Sequence, residues 1–187
     1  MKRYAWCAVI LLALLVVGGC SSATGGGSDQ MSDGEAQTMT ASVASAVSAA
    51  LANCLSGGVS GRDLVTAKGV PASTTVPIDY SGSGYSASGD CVIDNTTGAV
   101  SYDITISFSG YTYADVTIPS GSASLSINGG GTSMRGVYFG NFTVVYKGTS
   151  HSYNWDLEMT CSGGAYTYVG VFYVDYHAYT YNGSGTV

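Results

Sequence analysis

"SYDITISFSGY", residues 101–111, decides the fold. Tyr102, Ile104, Ile106 and Phe108 alternate with Ser101, Asp103, Thr105, Ser107 and Ser109. A period of two puts every second side chain on one face, so this stretch reads as a strand with one buried and one solvated side. "SYNWDLEMTC", residues 152–161, repeats the pattern, with Tyr153, Trp155, Leu157, Met159 and Cys161 opposite Asn154, Asp156, Glu158 and Thr160. Working outward, the same period predicts strands over 76–81, 86–94, 99–109, 113–127, 135–147, 151–161, 165–176 and 178–186. Turn residues gather at "DNTTG", "NGGG", "KGTSH", "CSGGA" and "NGSG", so neighbouring strands should be antiparallel. Gly136, Gly140 and Gly170 are candidate bend points within the strands.

Ahead of the strands the period changes to 3.6. In residues 34–55 Met39, Val43, Val47, Ala50, Leu51, Cys54 and Leu55 recur at intervals of three and four, the spacing of one helix face. Ser32 and Glu35 have capping-box spacing, and Gly57 is placed to stop the helix. The flanks are Ala and Ser, so the helix should lie in a groove or against a sheet. Its polar side carries no basic residues, which argues against a membrane-surface helix. The expectation is a mainly β fold with one N-terminal helix: an antiparallel meander of seven or eight strands, curved, with the helix packed on it. A closed barrel or a sandwich is the alternative.

At the N-terminus, Lys2 and Arg3 precede thirteen uncharged residues, Ala5 to Val17, and the run ends at Gly18, Gly19 and Cys20. It is too short to cross a hydrocarbon core of ~30 Å as a helix. This segment resembles a bacterial lipoprotein precursor, whose lipobox of an aliphatic residue, two small residues and a cysteine is matched by Val17, Gly18, Gly19 and Cys20. The resemblance covers residues 1–22. It implies cleavage before Cys20, acylation of the cysteine sulfur and of its new amino group, and a membrane anchor of two or more chains, enough for stable attachment. Ser21 and Ser22, by the enterobacterial sorting rule, imply the outer membrane where the source has one. The expected organisation is a signal peptide over 1–19, a lipidated cysteine with a Gly/Ser tether over 20–32, and a single domain over 33–187.

Charge narrows the partners. After cleavage Arg62, Lys68, Arg135 and Lys147 stand against twelve acidic residues, a net of −8. Such a surface repels phosphate, so no nucleic-acid partner is expected. Cys54, Cys91 and Cys161 also remain, an odd number. In an oxidising compartment one disulfide and one buried thiol are expected, with Cys91 and Cys161 as the pair.

The sequence points to no catalytic constellation, metal or cofactor. It has no Gly-x-Ser-x-Gly elbow and no phosphate-binding Gly-Lys loop, and His151 and His177 lie on different strands. His177 shares a strand face with Asp175 but no nucleophile is indicated. Asp90, Asp94 and Asp103 flank a hairpin without the alternating ligands of a calcium loop, and read as turn formers. The distinctive feature is aromatic: seven of fourteen mature tyrosines follow Ser150. In "YTYVGVFYVDYHAYTY", residues 166–181, strict alternation places Tyr173, His177, Tyr179 and Tyr181 on one face, a candidate ligand surface. The functional expectation is a non-catalytic binding or structural lipoprotein of the envelope. The alternatives are a carrier of acyl chains or lipoproteins, with a cavity beneath the helix, and a polysaccharide-binding aromatic platform.

Overall fold

The computed structural model describes residues 20–21, 31–58 and 72–186. The expected signal peptide over 1–19 and residues 22–30 of the expected tether lie outside the described residues. The elements in chain order are β1 (Cys20–Ser21), α1 (Asp33–Gly58), β2 (Ser73–Gly82), β3 (Tyr85–Asp94), β4 (Val100–Phe108), β5 (Tyr111–Tyr113), β6 (Val116–Gly130), β7 (Ser133–Tyr146), β8 (Thr149–Ser162), β9 (Ala165–Val174) and β10 (His177–Thr186).

All strands join one antiparallel sheet in the order β1-β10-β9-β8-β7-β6-β4-β3-β2, with β5 paired to β6. The sheet is therefore a meander with two ends, β1 and β2, and does not close into a barrel. It forms because each strand offers an apolar face at period two and each turn is short. Lys147–Gly148, for example, both adopt positive φ and join Tyr146 to Thr149 in a two-residue hairpin. That geometry suits the right-handed twist of the strands it joins.

Helix α1 begins in a capping box. The Glu35 N–H donates to Ser32 Oγ at 3.3 Å, and the Ser32 hydroxyl donates to the Glu35 carboxylate at 3.1 Å, satisfying groups that a helix start leaves open. Ala36, Met39, Thr40, Val43, Ala44, Ala46, Val47, Ala50, Leu51 and Cys54 are buried. At 100° per residue they span an arc of about 160°, wider than the ~100° stripe of an ordinary surface helix. Small side chains make this depth of burial feasible. Thr38, Thr40, Ser45 and Ser48 turn their hydroxyls back to the carbonyl four residues earlier at 2.7–2.8 Å, so the polar residues need no outside partner. Residues Asp33–Leu55 are long and apolar enough to cross a membrane by composition, with a mean hydropathy of 1.3, but half of the window is buried inside the domain.

Between helix and sheet an aromatic chain crosses the core face. Tyr85 meets Tyr111 at 4.9 Å, Phe108 meets Phe142 at 5.6 Å and Phe142 meets Trp155 at 5.3 Å. Tyr153 meets Phe172 at 6.0 Å, and Phe172 stacks on Tyr179 at 4.9 Å. Rings of this size need floor space, which glycine supplies. A Cβ at Gly140 would overlap the Trp155 indole and the Phe142 ring, and one at Gly183 would overlap the Tyr168 hydroxyl. The "NGSG" stretch carries turn residues but lies within the strand expected over 178–186, and it continues β10 opposite β9, its glycines lying beneath Tyr168 and Tyr166.

The expected disulfide is not formed. Cys54, Cys91 and Cys161 are all free thiols. Cys91 lies on β3 and Cys161 on β8, with β4, β6 and β7 between them. Four strand spacings place them about 19 Å apart, against a Cα separation of at most ~7 Å for a disulfide. Strand order, which a face assignment does not contain, keeps them apart. Burial pushes the Cys54 thiol up to about 11 and raises that of Cys91, so both should resist alkylation. Labelling the folded domain should modify half-buried Cys161 first, and labelling after denaturation without reductant should count three thiols among Cys54, Cys91 and Cys161. A count of one would restore the disulfide.

Candidate functional site

The last hairpin is where the aromatic residues were expected to form one ligand face. Asp175 and Tyr176 both have positive φ, 49° and 71°, and form a two-residue turn that pairs Val174 with His177, Tyr173 with Ala178 and Phe172 with Tyr179. Residues that face each other across such a turn share a face, so an even-numbered residue of β9 matches an odd-numbered one of β10. Tyr179 and Tyr181 thus join Phe172 in the core, 2 % and 3 % exposed, while Tyr173 points to the opposite face and is 40 % exposed. His177 is exposed beside the turn. The four residues do not make a common surface.

Asp175 pairs across the sheet and not along its own hairpin. Its Oδ2 lies 2.7 Å from His151 Nδ1 on β8, and its Oδ1 accepts the Ser152 N–H at 2.8 Å. The Asp175 N–H donates to the Ser152 carbonyl at 2.9 Å. This clamp holds a non-glycine pair in the left-handed region, where it is otherwise disfavoured. A His–Asp pair supplies two of the three members of a hydrolytic triad, but no Ser, Thr or Cys side chain hydrogen-bonds His151 among the described residues. The geometry accounts for a turn lock.

The face opposite the helix carries the remaining candidate chemistry. Val92, Ser101, Asn128, Arg135, Thr160 and Thr167 succeed one another across β3, β4, β6, β7, β8 and β9 in a single cross-strand row. The next row holds Asp94, Gly130, Ser133 and Ser162. The first row from Val92 to Thr160 and the second row line an open groove of ≈ 590 Å³, whose walls also include Ala99, Met134 and Cys161. Its exposed surface is mostly apolar, from Val92, Ala99, Val100 and Met134 and from the carbon atoms of the Ser, Thr and Gly residues, with hydroxyls and the Asn128 amide set among them.

At one end Asp94 accepts the Thr96 and Thr97 N–H groups at 2.7 and 3.0 Å. Hydrogen bonds from Thr97 and Thr96 hold its carboxyl below the usual range. At the other end the Arg135 guanidinium grips Glu158 through two bonds of 2.7 and 2.9 Å. That contact lowers the Glu158 carboxyl and raises the Arg135 guanidinium. The pair is exposed, so it fixes orientation more than it stabilises the fold.

Sequence reasoning did not find this groove, although part of the signal was present. The Lys147–Gly148 turn sets Arg135 opposite Thr160 and diagonal to Glu158 once a two-residue hairpin is assumed. Phe139 and Val169, 50 % and 58 % exposed, also lie on this face. Asp90 and Asp103 stand directly opposite each other on β3 and β4, and the described residues contain no group of three metal-ligating side chains. Beneath the helix, Val47, Leu51, Ile106, Leu125, Tyr138 and Trp155 enclose a cavity of only ≈ 10 Å³, about what one water needs. Comparison with protein-family models, with curated proteins and with solved structures gives no match.

Proposed function

We propose that this chain is a lipid-anchored protein of the bacterial envelope, held by acylated Cys20, whose β-domain acts by binding and not by catalysis. The anchor rests on the Lys2–Arg3, Ala5–Val17 and Val17-Gly18-Gly19-Cys20 succession. The binding reading rests on one observation, the groove over β3, β4, β6, β7 and β8. Its lining of Ser101, Asn128, Ser133, Thr160 and Ser162 offers neutral donors and acceptors, with Asp94 and Arg135 among its walls. Set among the apolar Val92, Val100 and Met134, these groups suit a neutral, hydroxyl-rich polymer such as a glycan, whose C–H ring faces meet the apolar surface while its hydroxyls exchange water for protein hydrogen bonds without burying charge. Acyl-chain carriage is less favoured, because the space under the helix would have to grow many-fold.

Two measurements test the two halves of this reading. Cys20→Ser should abolish acylation of the N-terminal peptide, read by mass spectrometry, and leave an uncleaved or soluble precursor. Recovery of the variant in the outer membrane with unchanged mobility would overturn the anchor. For the groove, Ser101→Trp should fill the floor with little loss of stability, since Ser101 lies on the face away from the core. Immobilised envelope polysaccharide should retain the parent protein and release the variant. Equal retention of both, or of neither, would remove glycan binding at this groove.

A further inference from the structure

We propose that the β9–β10 hairpin is the side of the domain that rests on the lipid surface, an inference that depends on the reading of Cys20 as the acylated residue. Three observations converge on it.

The first is the chain's own connection to the anchor. Cys20 and Ser21 pair with Tyr181 and Thr180 on the outer edge of β10, so the acylated residue sits on this hairpin. Tyr176, at the hairpin tip, is five residues from Tyr181, or about 17 Å along an extended strand. The tip is therefore within a short reach of the lipid chains.

The second is charge. Strands β9 and β10 contain no Asp, Glu, Lys or Arg, in a mature chain of net charge −8. Asp175 in the turn is turned back onto His151 and the Ser152 N–H. Asp103, Asp90 and Asp79 lie on β4, β3 and β2 at the far end of the sheet, where an anionic leaflet would repel them. On the neighbouring β8, Glu158 faces Val169 but is paired with Arg135, and Asp156, opposite Val171, limits the approach to the hairpin's tip and outer edge. Strand β6 is uncharged too but lies inside the sheet; the β9–β10 hairpin is an uncharged pair at an end of the sheet.

The third is what the hairpin exposes. Tyr176 is 89 % exposed, Val169 58 % and Tyr173 40 %. Tyrosine favours the headgroup level, where the ring meets the acyl boundary and the hydroxyl stays hydrated. Edge strands are a liability when left open, and a lipid surface next to the β10 edge would shield it from pairing with another chain.

The test uses the full-length acylated protein, purified from membranes and reconstituted into vesicles of phosphatidylethanolamine and phosphatidylglycerol in which part of the lipid is brominated. Tyr176→Trp and, separately, Val169→Trp place a fluorophore on the hairpin. Tyr113→Trp places one on β5, which is exposed but pairs with β6 across the sheet. The buried Trp155 signal is common to all variants.

Brominated lipid should quench the added fluorescence of the two hairpin variants and leave that of Tyr113→Trp unchanged. Two hairpin positions guard against one variant failing to fold, which circular dichroism checks. Quenching of all three alike, or of none, in protein whose Cys20 acylation is confirmed by mass overturns the orientation and leaves the anchor standing. Protein that proves unacylated at Cys20 overturns the anchor and the orientation together.

Discussion

Tyr179→Ala should destabilise the domain by ~3–5 kcal/mol, while Tyr173→Ala, six residues earlier, should stay within about 0.5 kcal/mol of the parent. Tyr179 is 2 % exposed and its ring lies parallel to Phe172, 7° between planes and 4.9 Å between centroids. Its hydroxyl donates to the Met31 carbonyl at 3.1 Å, tying the start of α1 to β10. The ring dominates the cost. Removing it leaves a cavity against Phe172, whereas the hydrogen bond alone accounts for ~0.5–1.5 kcal/mol, so Tyr179→Phe should fall in that lower range. Tyr173 points away from the core and is 40 % exposed, so its truncation opens no cavity. Urea denaturation followed by far-ultraviolet circular dichroism measures all three variants. Equal, small effects for Tyr179→Ala and Tyr173→Ala would place both rings on one exposed face and contradict the hairpin register.

The contrast between these two tyrosines also marks where the sequence stops being readable. Local periodicity carries the elements. Helix residues Met39, Val43, Val47, Ala50, Leu51 and Cys54 are buried as their spacing predicts, and Ser32 with Glu35 forms the capping box. The strands lie within a few residues of their expected bounds, because alternation in segments such as 101–109 is imposed by a half-buried sheet. What local pattern lacks is register and order. The expected strands break at residue 177, but the Asp175–Tyr176 turn contains no glycine, so nothing in the run of residues 166–181 fixes it as the two-residue step that moves Tyr179 and Tyr181 into the core. What sustains that turn is the bonding of Asp175 to His151 and Ser152, residues on a different strand.

The same limit explains two further departures. Ala114, at φ 51°, breaks the expected strand over 113–127 into β5 and β6 without a glycine to signal it, and β6 carries a register shift between Thr117 and Ser120. The cysteine pairing failed because face alone does not fix which strands are neighbours. The groove went unread for a related reason: its row from Val92 to Thr160 is drawn from five strands, and every residue in it looks like ordinary solvated polarity until the registers are combined.

Alkaline pH should unfold this domain sharply, and the buried tyrosines set the sign. Burial is the main cause that raises Tyr85, Tyr102, Tyr111 and Tyr138 above the ordinary tyrosine value. Tyr85 reaches about 12 with a further contribution from Tyr80, and Tyr102 is raised further by Cys91. In the unfolded chain each would lose its proton near pH ~10. Above that pH the folded state binds more protons than the unfolded state, so rising pH favours unfolding. The stability tied to these four groups is fully present below pH 10 and drains as pH rises towards and beyond 12. Each contributes a slope of up to ~1.4 kcal/mol per pH unit, so four together reach ~5 kcal/mol per unit, enough to exhaust a typical domain's stability of ~5–15 kcal/mol within a few units. The melting temperature should be flat with respect to these groups from pH 7 to 9 and fall steeply above 10. Tyrosinate absorbance from the four should appear together with loss of the β signal and not before it.

Tyr138→Phe isolates one of them. The Tyr138 hydroxyl is buried without a hydrogen-bond partner among the described residues, so its removal relieves a desolvated polar group that costs ~1–3 kcal/mol. The variant should be as stable as the parent or more so at neutral pH, and its alkaline limb should be shallower by one proton. A steeper limb, or a loss of stability at pH 7, would mean that the hydroxyl is satisfied and that its burial is not what drives alkaline unfolding.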